Sequence, residues 1–101
     1  MARKLEYSPF AVEDLRQMRR WMSQPGAGPR AKMRARRIAA AISELRSDPT
    51  IWPKGDEPGT RQFVVEKHVV VYSVVPDTND RHAAGDVYVL RIYGPGQSRE
   101  T

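Results

Sequence analysis

A chain of 101 residues has room for one domain, spanning 1–101, with a core large enough to fold alone. It contains no cysteine, which excludes disulfides and thiolate metal sites. No apolar run nears the roughly 20 residues of a membrane span, and the opening MARKLEYSPF lacks the apolar core of a signal peptide, so a cytoplasmic protein without membrane contact is expected.

The net charge of +5 is unevenly spread: residues 1–47 carry 11 Lys/Arg against 4 Asp/Glu, a balance of +7, and residues 48–101 carry 6 against 8, a balance of −2. A basic half on a small domain suits a polyanionic target or an acidic protein partner; the alternative is a solvated basic surface.

Lys4 to Tyr7 alternates polar and apolar residues and predicts a short first strand. Ser8 is placed to cap a helix and Pro9 to occupy its first position, where a missing N–H costs nothing. Phe10, Leu15, Met18, Trp21 and Met22 then recur at helical spacing, so a helix with an apolar stripe is expected from Pro9 to Ser23. The glycines and prolines between Gln24 and Pro29 predict a turn. A second helix follows from about Pro29 to Arg46, with Ala31, Ala35, Ile38, Ile42 and Leu45 on one face and Arg30, Arg34 and Arg37 on another. Ala39 to Ala41 are small enough to let the two helices pack closely as a hairpin. The three arginines are candidate contacts for a nucleic acid or a protein partner, and a solvated face is the competing explanation.

Asp48-Pro49 ends that helix. Trp52, in the loop that follows, is expected to plug one end of the core; as an exposed ring it would instead offer a stacking platform for a base. Arg61 to Val75 then reads as a hairpin: Gln62 to Val65 and Val69 to Val75 are rich in β-branched residues, and Glu66-Lys67-His68 forms the connection. So many valines in the second run predict an interior strand covered by helices. Pro76 to Gly85, with His82, reads as a polar loop of no structural weight. In Asp86 to Tyr93, alternation puts Val87, Val89 and Arg91 on one side and Tyr88, Leu90 and Ile92 on the other. Arg91 in a strand interior calls for a partner, Glu66 or Asp86, or else for a groove shared with Arg61. The predicted class is α+β: an antiparallel sheet with a helical hairpin on one face.

The order strand, helix, helix, three antiparallel strands resembles the RelE/ParE superfamily of bacterial toxins from type II toxin–antitoxin systems. The phrases that carry the resemblance are Ser8-Pro9-Phe10-Ala11 followed by Glu13-Asp14-Leu15, Leu45 with Asp48-Pro49, Gly59 to Val65, Val69 to Val74 and Val89 to Ile92. The resemblance implies a cognate antitoxin as partner. It also implies one of two targets: RelE-like members cleave mRNA on the ribosome with a cluster of Lys/Arg and a Tyr, His or Glu, whereas ParE-like members bind DNA gyrase without known catalysis. Arg61 matches a basic position at the start of the family's second strand, Tyr72 a largely structural tyrosine, and Arg91 an arginine frequent in ParE-like final strands. Where RelE-like nucleases place basic residues, this chain has Val69 and Gly94-Pro95-Gly96, which favours the ParE-like branch and an inhibitor of gyrase.

If the chain were a ribosome-dependent endonuclease, attack by a 2′-hydroxyl would need a proton acceptor, a proton donor and cations for the phosphorane. Arg61, Arg91, Tyr93, Arg99 and His68 are the candidates, His68 because its ordinary pKa lies near neutrality, although it also fits a plain turn residue. Gln97, near the end of the chain, joins the candidate contacts. Neither histidine has an Asp/Glu pair beside it, so neither a metal nor a nucleophilic triad is indicated, and no cofactor motif is present. A non-toxic basic nucleic-acid-binding module remains as a third reading.

Overall fold

The computed structural model describes residues 3–95. In chain order it forms β1 (Leu5–Tyr7), α1 (Pro9–Met22), α2 (Gly28–Ser43), a 3-10 turn (Glu44–Arg46), β2 (Arg61–Val65), β3 (His68–Val75) and β4 (Asp86–Tyr93). The strands make one sheet in the order β1-β4-β3-β2; β1 runs parallel to β4, and the other pairs are antiparallel. This is the α+β class expected from the sequence, with one correction: the sheet is mixed and not wholly antiparallel, because β1 lies parallel to β4.

Ser8 starts α1 as predicted, its Oγ accepting from the Ala11 N–H at 3.0 Å, with Pro9 in the first turn. The same residue ties the helix to the sheet: Ser8 N–H donates to the Val89 carbonyl at 2.8 Å and Ser8 Oγ–H to the Leu90 carbonyl at 2.7 Å. The second helix starts at Gly28, ahead of the expected Pro29, and tightens into the 3-10 turn from Glu44. Its buried row is Ala31, Ile38 and Ile42, continued by Leu45, whereas Ala39 and Ala40 face outward. Close approach of the helices therefore does not use Ala39 and Ala40.

The hairpin differs from expectation at its tip. The connection is two residues, Glu66 and Lys67, with φ of 48° and 63°, the left-handed pair that suits the twist of a two-residue hairpin. His68 is consequently the first residue of β3, paired with Val65 and buried, and not part of the turn. Nor is β3 covered on both faces. His68, Val70, Tyr72 and Val74 are buried beneath the helices, while Val69, Val71 and Ser73 are only half-buried and Val75 is exposed.

In β4 the predicted alternation is broken. Val71 lies opposite Arg91 but Tyr72 lies opposite Val89, so Leu90 is an extra residue in the strand. A bulge of this kind shifts every later side chain to the other face. Ile92 thereby joins Val87 and Val89 in the core.

Trp52 plugs the core as expected, stacked on Phe63 with centroids 5.0 Å apart, and Phe63 meets Tyr72 edge-on at 6.1 Å. Tyr72 is fully buried and donates its O–H to the Pro49 carbonyl at 2.8 Å; burial pushes its ionisation above the ordinary tyrosine range. Tyr72→Phe strands that buried carbonyl, so thermal unfolding of the chain should show a loss of about 1–3 kcal/mol.

Candidate functional site

Two neighbouring rows run along α1. Ala11, Leu15, Met18 and Met22 follow the i, i+4, i+7, i+11 rhythm, and Ala11, Met18 and Met22 are buried. Phe10, Asp14, Gln17 and Trp21 follow the same rhythm one residue earlier and form one wall of a cleft of about 710 Å³. Phe10 and Trp21, expected in the core stripe, are 69% and 58% exposed. His68, Arg91 and Ile92 supply the opposite wall from the sheet, with Gly94 and Pro95 at its end.

The Arg91–Asp14 pair organises this cleft. Because β1 ends at Tyr7, the outer edge of β4 beyond Val89 has no strand beside it. Side chains fill the gap: Ser8 takes the Leu90 carbonyl, and Asp14 Oδ2 accepts the Ile92 N–H at 2.8 Å. The same carboxylate holds Arg91, through Nε at 2.8 Å and Nη2 at 3.1 Å. Arg91 is thus paired with Asp14 rather than with Glu66 or Asp86. Glu66 instead engages Arg37 at 2.7 Å, and Asp86 accepts the Lys4 N–H at 2.9 Å. The hydrogen bond to Asp14 raises the pKa of Arg91 further. Its guanidinium carbon lies 4.7 Å from the Tyr93 ring centre and 5.9 Å from that of Phe10, both within cation–π range. Arg91 Nη1 makes no hydrogen bond among the described residues, so a fixed cation offers donors to whatever enters the cleft.

His68 is 6% exposed, and its Nδ1 lies 2.8 Å from the Glu66 carbonyl oxygen. A carbonyl only accepts, so Nδ1 carries the proton, and in the neutral ring Nε2 is the acceptor. Of the residues singled out in the sequence, Arg91 and His68 therefore line one cleft, whereas Tyr93, paired with Val69 and so on the other face of the sheet from His68, meets only Arg91.

Arg61 stands elsewhere. It opens β2 opposite Tyr72, at the end of the hairpin away from His68. It is 4% exposed, and all five of its N–H groups meet acceptors in the protein. Nε and Nη2 take Asp77 at 2.8 Å each, Nη2 also takes Asn79 Oδ1 at 2.6 Å, and Nη1 reaches the carbonyls of Thr50 and Trp52. Arg61, with Lys54 adding to its effect, holds the Asp77 carboxyl well below the usual carboxylate range. The groove shared by Arg61 and Arg91 is therefore not formed, and the 76–85 loop, expected to carry no structural weight, is the clamp around Arg61. Its far end is packed as well: Ala84 is buried, and a Cβ on Gly85 would overlap the Val75 carbonyl.

On α2, Arg37 is exposed and spends itself on Glu66, which it holds below the ordinary glutamate range. Arg30 and Arg34 line a second cleft of about 400 Å³ beyond Trp21, against the turn between the helices. Gln97 and Arg99 lie outside the described residues. Asp14 was missed in the sequence reading; the signal that finds it is the second α1 row, which places one carboxylate between two aromatic residues.

The family model of the ParE toxin of the type II toxin–antitoxin system parDE matches residues 5–94. The chain belongs to this family. No curated protein sequence matches it significantly. A solved structure described as a chromosomal ParDE toxin–antitoxin system from P. aeruginosa contains a chain that superposes with a TM-score of 0.68 at 15% identity, covering 93% of this chain and 97% of that one. At that identity the likeness speaks for the fold. As a ParE-family toxin, the chain has an antitoxin as its partner. No helix among the described residues is long and apolar enough to cross a membrane.

Proposed function

We propose that the chain arrests growth in the cytoplasm as a ParE-like, non-catalytic inhibitor of DNA gyrase. The observation that carries this reading is the enclosure of Arg61. A nuclease needs cations free to meet the scissile phosphate, and the arginine that aligns with a basic position of the family has no donor left for one. Arg91, the arginine frequent in ParE-like final strands, keeps open donors but shares its cleft with Glu13 and Asp14, whose negative charge opposes an RNA backbone. A cleft with two exposed aromatic rings and one anchored arginine has the composition of a protein-binding surface. The toxin, freed from its antitoxin, should block ATP-driven supercoiling of relaxed plasmid by gyrase and leave cell-free translation running; translation halted with mRNA cut in the ribosomal A site would overturn the proposal.

One observation favours the second reading, a RelE-like ribosome-dependent endonuclease. Arg91 and His68 line the same cleft, and the His68 Nε2 acceptor is suited to take a proton from a 2′-hydroxyl.

A further inference from the structure

The sheet is roofed on one side only. His68, Val70, Tyr72 and Val74 of β3 are buried on the helix side, and the residues that alternate with them point to the side where no helix or strand packs among the described residues. Val69, Val71 and Val75 line that open side, with Val64 of β2 opposite Val69. Tyr88 and Tyr93 of β4 join them, being paired with Ser73 and Val69. Val64 and Val75 are 67% and 60% exposed. Apolar side chains left open together over one face mark an interaction surface.

Charge and size decide what can lie on it. The charged strand residues of this side are Glu6, Asp86 and Arg91, opposite Tyr88, Val75 and Val71, and Arg91 is turned to Asp14. The excess of +7 in residues 1–47 lies mainly on the two helices, across the sheet. A twofold contact sets a patch against its own copy and so needs a surface complementary to itself. The near-neutral valine face meets that condition, and the cationic helices do not. β3 and β4 are eight residues long, β2 five and β1 three. At ~3.3 Å per residue and ~4.8 Å between strands the face covers roughly 400 Å², so two copies would bury on the order of 800 Å², the low end for an interface and suited to reversible association. The outer edge of β2 competes poorly as a self-pairing site, since the Pro53 carbonyl takes the Gln62 N–H at 3.2 Å and Lys54 bridges Arg61.

We propose that the open valine face of the sheet is a homodimer interface, on which two copies of the chain stack face to face with both helical hairpins outward. Packed sheets keep their strands within about 30° of one another, so the valines of β3 in one copy lie along those of the other. The two helical layers are then roughly 30 Å apart. That is more than about three Debye lengths at physiological salt, so their like charge does not oppose the contact. The dimer is held by apolar burial, and its stability responds little to salt.

The test is sedimentation equilibrium of the full chain, free of antitoxin, from about 5 to about 500 μM at low and high salt. The parent is expected to pass from monomer to dimer across that range at both salt concentrations. Ser73→Lys, at the middle of β3 on the open side, brings two like charges into the contact and should weaken dimerisation roughly 30-fold or more. Val64→Lys/Val75→Lys should weaken it about 10-fold. Met33→Lys, at a residue of α2 that is 49% exposed, should dimerise like the parent. Should Ser73→Lys melt below the parent, the Val64→Lys/Val75→Lys variant, whose sites are exposed, carries the test alone. A parent that stays monomeric to the top of the range overturns the proposal. So does a dimer that Met33→Lys dissociates as strongly as the sheet variants, one that neither sheet variant weakens, or one that high salt dissolves, since a charged contact elsewhere would then hold it. A monomeric parent whose antitoxin binding falls with Val64→Lys/Val75→Lys assigns the face to that partner and overturns the proposal as well.

Discussion

Asp77→Ala should destabilise the chain by about 3–5 kcal/mol, the penalty of leaving a buried guanidinium without its counter-charge. The side chain of Arg61 is 5% exposed and that of Asp77 14%, so water cannot replace the lost partner. In a domain whose total stability is of order 5–15 kcal/mol, such a change moves the melting midpoint by more than about 10 °C. Arg61→Ala should be comparably damaging, since it abandons the Thr50 and Trp52 carbonyls as well as Asp77. An apolar pair at 61 and 77 should recover only part of the loss, because those carbonyls still lack a donor. The acid dependence distinguishes this account from simple loss of packing. Asp77 has its folded-state pKa held below the ordinary aspartate value of about 3.9. Its contribution is therefore complete above that pH and fades as pH falls toward the lower folded value. The gap in stability between parent and Asp77→Ala, measured by denaturant unfolding, should be widest near neutrality and close progressively below about pH 4. A gap that stays constant into acid would show that the carboxylate is not the source. Loss of toxicity in an Arg61 variant is consequently evidence of lost fold before it is evidence of lost chemistry.

How far the sequence could be read depended on whether a feature is local. The strand and helix starts were legible because Ser8-Pro9 and the valine runs express backbone preferences within a few residues. The helical hairpin was legible because Ile38, Ile42 and Leu45 repeat at helical spacing. The bulge at Leu90 was not, since an extra residue in a strand leaves no composition signature when its neighbours are as β-prone as Tyr88 and Ile92. His68 was assigned to the turn because three polar residues look like a connection; the structure needs only Glu66 and Lys67, and it buries the imidazole by giving its Nδ1–H a carbonyl. The partners of the arginines were the least legible. Asp14 is 77 residues from Arg91, and Asp77 is separated from Arg61 by a whole strand of the hairpin. Chain folding brings them together, and no periodicity records it. The two aromatic residues were misplaced for a different reason. A stripe containing Phe10, Leu15, Met18, Trp21 and Met22 is wider than the face α1 can bury, and that excess width was the sign that one row remains outside.

Asp14→Ala should damage both the fold and the cleft, and Asp14→Asn should separate the two. The carboxylate, 10% exposed, is the acceptor for the Ile92 N–H where β4 has lost its neighbouring strand, and it is also the anchor of Arg91. Alanine leaves that N–H unpaired beside the core, at about 1–3 kcal/mol. It also frees a guanidinium that is more than a third exposed, so water recovers much of the ion pair and the larger consequence is geometric. Without Asp14, Arg91 is no longer held between Phe10 and Tyr93 in a single orientation, and the free donors of Nη1 are no longer aimed. Asparagine keeps an oxygen for the Ile92 N–H and so should keep most of the stability. That oxygen also keeps the bond from Arg91 Nε, but the remaining nitrogen faces Nη2 as donor against donor and the counter-charge is gone, so the two-point grip on Arg91 becomes one neutral hydrogen bond. Asp14→Asn should therefore melt near the parent yet bind antitoxin less tightly, and inhibit the target less, by about 10-fold, while Asp14→Ala loses on every count. If Asp14→Asn matches the parent in binding and toxicity, Arg91 acts in the sheet only, and the cleft must work through Phe10 and Trp21 alone.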